Sequence, residues 1–165
     1  MSTTNPVDIL LEHDRWATRQ ILAACEMLSP AQFSQKFDLG PGSLQATLTH
    51  MIAAMNTWAD TLSVRPLGRR IDQDGQSYSV QQLTALHDTA ITAFIHIART
   101  LPLDQVVTRE RLGKTYTFPR VTIITHVATH DMHHRAQCLN MLKQLGVNPL
   151  PPSSVVEWSR ATNAA

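Results

Sequence analysis

Four of the chain's eight histidines fall within nine residues, in the stretch His126-Val-Ala-Thr-His130-Asp-Met-His133-His134-Arg135-Ala-Gln137. On an α-helix each residue advances about 100° and about 1.5 Å, so His130 and His134 stand about 40° and about 6 Å apart. Two imidazoles at that spacing can converge on one metal ion, as in other helical zinc sites. His126 with His130, and His130 with His133, are the other pairs with helical spacing.

A helical wheel discriminates among them. With Ile124, Ala128, Leu139 and Leu142 as the apolar centre, His130 and His134 share one flank with Ile123, Val127 and Met141, whereas His126 and His133 fall towards the opposite side. Asp131 and Arg135 fall near the apolar centre. They are placed either to pair with each other at i, i+4 or to lie in a subunit interface. A metal needs at least one further ligand, and His13, His50, His87 and His96 all satisfy periodicity alone. A single helical histidine is ordinarily a surface or hydrogen-bonded residue, and many i, i+4 pairs bind nothing. Cys138 continues the His130/His134 stripe but lies about 12 Å from His130 along the axis, too far for the same ion, and reads as core. Trp16, Trp58 and the methionines also read as core.

Other chemistries are poorly served. A di-iron carboxylate bundle needs two Glu-x-x-His motifs and further glutamates, and only Asp131-x-x-His134 approximates one. The sequence contains no nucleophile elbow, phosphate-binding glycine loop or Cys-x-x-Cys. Two cysteines, Cys25 and Cys138, make no disulfide framework. The net charge of +1 disfavours electrostatic nucleic-acid binding. No apolar run reaches the roughly 18 residues of a membrane span. Met1 to Pro6 is polar without a signal-peptide pattern, so a cytoplasmic location is expected.

The elements that must position these residues follow from apolar spacing and caps. A first helix starts at Asn5-Pro6 and stops at Ser29-Pro30, and a helical turn is expected around Phe33 and Phe37. Ser43 caps a second helix that carries His50 and ends near Ser63. Ser79 and Gln82 form a capping box for a third helix, which ends before Pro102. Val106, Val107, Tyr116 and Phe118 around Gly113 suggest a short hairpin. A last long helix runs from Pro119 to a stop at Gly146. Four amphipathic helices of about 20 residues each predict an all-α four-helix bundle, 1–148, with long connections that allow a topology other than up-down-up-down. Residues 149–165, rich in proline, are expected as an extended strap that packs Val155, Val156 and Trp158.

At this point the sequence resembles the DinB/YfiT-like superfamily, the damage-inducible DinB type. Trp16-Ala17-Thr18-Arg19 looks like its early W-A-x-x segment. Ser43-Leu44 through Thr49-His50-Met51-Ile52, with Trp58 eight residues after His50, looks like its S-L-x-x-T-L-x-H-x-x-x-x-x-x-x-W segment. His130 to Gln137 looks like its closing H-x-x-x-H-R-G-Q motif, with Ala136 in place of the usual glycine.

The resemblance implies a four-helix bundle, commonly a homodimer, with a divalent metal held by His50, His130 and His134; zinc and nickel are the expected ions. Relatives include transferases and isomerases that use mycothiol, bacillithiol or glutathione, and metal-dependent hydrolases. The expected function is therefore a metalloenzyme in which a metal-activated low-molecular-weight thiol or water attacks a small electrophile. The alternatives are a stress-associated dimer with a structural metal and an interaction bundle without one. Arg135 and Gln137 are available to orient a ligand histidine or a substrate anion, or to hydrogen-bond within the bundle or an interface.

Overall fold

Each long helix begins where a polar side chain, or a proline, suits the unpaired first turn. The computed structural model describes residues 5–111 and 113–163. In α1 (Pro6–Cys25) the Asn5 Oδ1 accepts from the Val7 N–H at 2.9 Å, and Pro6 takes a position that needs no donor. A short α2 (Pro30–Phe33) is started by a reciprocal Ser29–Gln32 capping box, so the expected turn covers Phe33 but not Phe37. Ser43 caps α3 (Leu44–Leu62), and Ser79 with Gln82 caps α4 (Val80–Thr100). The last long helix, α5 (Arg120–Gln144), follows Pro119. It ends in a Schellman arrangement: Gly146, at φ +84°, donates to the Lys143 carbonyl, and Val147 donates to that of Leu142, each at 3.0 Å.

The four long helices form the expected bundle. Around it, α1 packs on α4 and α5, and α3 packs on the same two helices. The first two long helices are therefore diagonal, and so are the last two. Both diagonal connections carry extra structure: α2 and the Gly40-Pro41-Gly42 loop in one, a hairpin in the other. Leu11, Ile21, Leu48, Met51, Ile52, Leu83, Ile91, Phe94, Ile124, Met141 and Leu142 are among the fully buried core residues. Among the described residues no helix is long and apolar enough to cross a membrane.

The hairpin pairs β1 (Val106–Arg111) with β2 (Lys114–Pro119), in a register that sets Val107 opposite Phe118 and Arg109 opposite Tyr116. Successive strand residues face opposite sides, so these four share one face. Val107 is buried and anchors that face, while Val106 on the other is exposed. The tail differs from the expected strap. It ends in a helix, α6 (Val155–Asn163), packed on α1. Trp158 meets His13 edge-on, and His13 bonds the Ser153 carbonyl at 2.8 Å, whereas Val155 and Val156 are exposed. Residues 1–4 and 164–165 lie outside the described residues, as does Leu112 of the expected hairpin turn. Of the methionines read as core, Met27 and Met132 are exposed.

Two buried polar groups stand out in the packing. Arg135 does not pair with Asp131. Its guanidinium bonds Asp14 of α1, with Thr18 Oγ1 at 3.4 Å, and all three are buried. Burial pulls the Arg135 guanidinium down to about 10. His87 of α4 is 2% exposed and both of its ring nitrogens lack a hydrogen-bond partner. Burial lowers its pKa from 6.5 to about 4, with the Asp88 charge opposing.

Removing one partner of a buried ion pair strands the other charge, so Asp14→Ala is expected to lower unfolding stability by about 3–5 kcal/mol. Asp14→Leu with Arg135→Met is expected to recover most of that loss in urea denaturation. For His87 the folded pKa lies below the unfolded value, so the stability from keeping it neutral is present above about pH 6.5 and lost as pH falls towards 4. Against a His87→Leu variant, the wild type is expected to lose on the order of 3 kcal/mol across that window. Parallel melting curves for the two proteins between pH 7 and pH 4.5 would remove this role.

Candidate metal centre

α3 and α5 pack side by side, and that contact brings three imidazoles together. His50 stands in the middle of α3, and His130 and His134 are one turn apart on α5. Ring centroids are 5.3 Å apart for His50 and His130, 4.9 Å for His50 and His134, and 4.4 Å for His130 and His134. One nitrogen of each lies within 4.8 Å of the others. The Nε2 of His130 is 3.3 Å from that of His50 and 3.2 Å from that of His134.

The other ring nitrogen of each histidine has its own partner. His50 Nδ1 lies 3.2 Å from Asp72 Oδ2, in the loop after α3. His130 Nδ1 lies 3.1 Å from Asp131 Oδ1, and His134 Nδ1 lies 2.8 Å from Gln137 Oε1. Each partner atom is an acceptor, so each Nδ1 carries the hydrogen and each Nε2 presents a bare lone pair. Three lone pairs then face one another with no proton between them, which is unfavourable unless a cation lies at their centre. Tetrahedral coordination with bonds of about 2.0–2.1 Å sets ligand nitrogens about 3.3–3.4 Å apart, close to the spacings of His130 Nε2 from its neighbours. The donor set therefore fits a divalent metal ion.

The surroundings hold the imidazoles neutral and oriented. Burial lowers the pKa of His50, with Asp72 opposing, and burial lowers that of His130. For His134 burial dominates the Gln137 bond and brings the value to about 4. Behind His50, Arg70 grips Asp72 through two bonds, at 2.9 and 2.6 Å. Burial raises the Asp72 carboxyl, but its bonds to Arg70 and His50 outweigh burial and leave it below the ordinary value. Asp131 is 1% exposed, and burial pushes its carboxyl well above the usual range. Its Oδ2 has no partner, a buried atom that positive charge at the centre would compensate. Gln137 also lies 3.0 Å from His133 through its amide nitrogen, and it packs directly on Gly40. A Cβ at Gly40 would come within 2.2 Å of Gln137 Oε1, and φ there is +53°, so glycine is required twice over.

The remaining histidines stay apart from this group. His13 is buried under α6, His87 is buried in α4, and His96 is exposed. His126 and His133 are exposed residues at its edges; the His126 ring lies 5.0 Å from Trp58. Cys25 and Cys138 are fully buried core residues whose thiols burial pushes up, that of Cys25 to about 12. Trp58 is half-buried, packed against the core on one side and lining a cleft on the other, and Trp16, also read as core, is half-buried too. Gly40 lies in a loop and Asp72 in a single 3-10 turn, Ile71–Gln73, too short to carry a periodic signal. Asp131 was visible beside His130, but only the folded rotamer reveals what it supports.

A protein-family comparison extends over nearly the whole chain: the model of the DinB family matches residues 1–159. Among curated proteins none matches. Among solved structures, a DinB-like protein from Bacillus cereus superposes with a TM-score of 0.67 at 17% identity, over 87% of this chain and 92% of that one. At that identity the likeness speaks for the fold. With the family model covering these residues, the chain belongs to the DinB family.

Proposed function

We propose that His50, His130 and His134 bind one divalent metal ion, zinc or nickel, through Nε2, and that the protein is a metalloenzyme acting with a low-molecular-weight thiol or water on a small electrophile. The observation that carries this reading is the three converging Nε2 lone pairs, each fixed by an acceptor on the opposite nitrogen. An ion held by three neutral imidazoles supplies Lewis acidity and lowers the pKa of a water or thiol that reaches it. Asp72, Asp131 and Gln137 hold the donor tautomers and raise ligand basicity, and Arg70 and Gly40 hold two of those supports in place. A non-catalytic dimer with a structural ion is the second reading. The cleft lined by Trp58 favours the first, since it offers a small molecule a site separated from the histidine centre by Trp58 and the His126 ring that Trp58 meets.

Elemental analysis of untagged protein, purified without added metal, is expected to find about one divalent ion per chain. His50→Ala and His134→Ala are each expected to abolish it; metal unaffected by both changes would sink the assignment. Loss of an outer support typically costs about 10–100-fold in metal affinity, and Gln137→Leu and Gly40→Ala are expected to fall in that range by competition with a chromogenic chelator. The catalytic and structural readings separate in the cobalt-substituted protein. Adding glutathione is expected to produce a thiolate-to-cobalt absorption band, whereas a spectrum indifferent to thiols and to pH would assign the ion a structural role. The homodimer belongs to the same proposal, and light scattering is expected to return twice the chain mass.

A further inference from the structure

A cleft of about 730 Å³ opens between α3, the loop that follows it and the inner face of the hairpin. Its apolar wall is aromatic. Tyr116 and Phe118 lie parallel with ring centroids 6.2 Å apart, and Trp58 meets Phe118 edge-on at 6.0 Å. Its polar wall is cationic, formed by Arg69, Arg70 and Arg109, and none of the residues lining it is acidic.

The three arginines are not equivalent. Arg70 is neutralised by Asp72. Arg69 hydrogen-bonds the Asp74 carbonyl at 3.5 Å and feels the Asp74 carboxylate without forming an ion pair with it, and Arg109 hydrogen-bonds the Arg65 carbonyl at 2.9 Å. Among the described residues neither has a carboxylate within 4.0 Å, although nearby Arg65 is bridged by Asp60. Each guanidinium therefore has donors to spare, in a concave site where one sign of charge concentrates counter-ions. Planar forks of this kind match the oxygens of an organic anion, and the aromatic wall matches a flat apolar body.

No histidine lines the cleft, and two chains of side-chain contacts connect it to the histidine centre. Trp58 touches His126, whose ring lies 5.6 Å from that of His130. Arg70 bonds both Thr57 in the cleft and the Asp72 that supports His50.

We infer that this cleft binds a small organic anion with a flat apolar body, held by Arg69 and Arg109 against Trp58, Tyr116 and Phe118, as the substrate presented to the histidine centre. Its role as a substrate site rests on the proposed metal function; the binding itself does not.

The test is titration calorimetry with naphthalene-2-sulfonate, a poor metal ligand, against its neutral methyl sulfone. Wild type, Arg69→Gln and Arg109→Gln are each measured zinc-loaded and after chelation, with zinc content and circular dichroism recorded for every sample. The sulfonate is expected to bind about tenfold or more tightly than the sulfone, and each Arg→Gln change is expected to remove most of that preference while leaving sulfone binding within about twofold. Equal binding of the two probes, or a sulfonate preference untouched by both substitutions, would overturn the anion site. So would a preference that disappears when zinc is stripped, since the anion would then be a metal ligand. A preference that survives in protein unable to bind zinc at all would uphold the cleft and overturn the metal reading instead.

Discussion

Three imidazole nitrogens that all point their lone pairs at one spot repel each other, and the rest of the structure is arranged so that they cannot turn away. Rotating any one ring would break its Nδ1 bond, to Asp72, Asp131 or Gln137. Those acceptors are held in turn: Asp72 by the two Arg70 bonds, Gln137 by Gly40 and His133, Asp131 by its position in the buried face of α5. The repulsion is thus built in, and a cation relieves it. Burial works in the same direction, because it disfavours protonation of the rings and so keeps the donors available.

The bundle is the platform for this arrangement. His50 can meet the α5 pair because α3 and α5 are neighbours, and they are neighbours because the first two long helices lie across a diagonal. The Asp14–Arg135 pair joins α1 to α5 on the residue immediately after His134, which ties the rotation of α5 to the far side of the bundle. The hairpin occupies the other diagonal connection. It brings Arg109, Tyr116 and Phe118 over the end of α3, so the element that interrupts an all-helical chain also walls the cleft.

Helix starts and stops were legible because they are local: Asn5, Ser43, Ser79 and Gly146 act on backbone groups within a few residues. The His130/His134 pair was legible for a similar reason, since its spacing is a helical constant. His50 could not be chosen by periodicity from among His13, His87 and His96; only the resemblance singled it out. Asp131 and Arg135 drew attention as charges on an apolar face. Their partners were hidden because Asp14 is 121 residues from Arg135, and no local rule reports such a distance. Gly40 sits in a loop and Asp72 in a single 3-10 turn, too short for any period to show, and the strand period that puts Arg109 on one face of the hairpin does not say what that face covers. The tail was misread because its prolines end at Pro152, and Ser154 then starts a helix through its bond to Glu157.

The histidine group joins residues 80 positions apart, from the second long helix to the last. Closing so long a stretch of chain has a substantial entropic cost, which a bond between its ends would help to offset. During synthesis His50 emerges well before either partner, and α5 is the last bundle helix to be made. An ion that needs all three nitrogens therefore cannot be captured by a growing or truncated chain. Its arrival would link the second long helix to the last, and its loss would remove that link between α3 and α5.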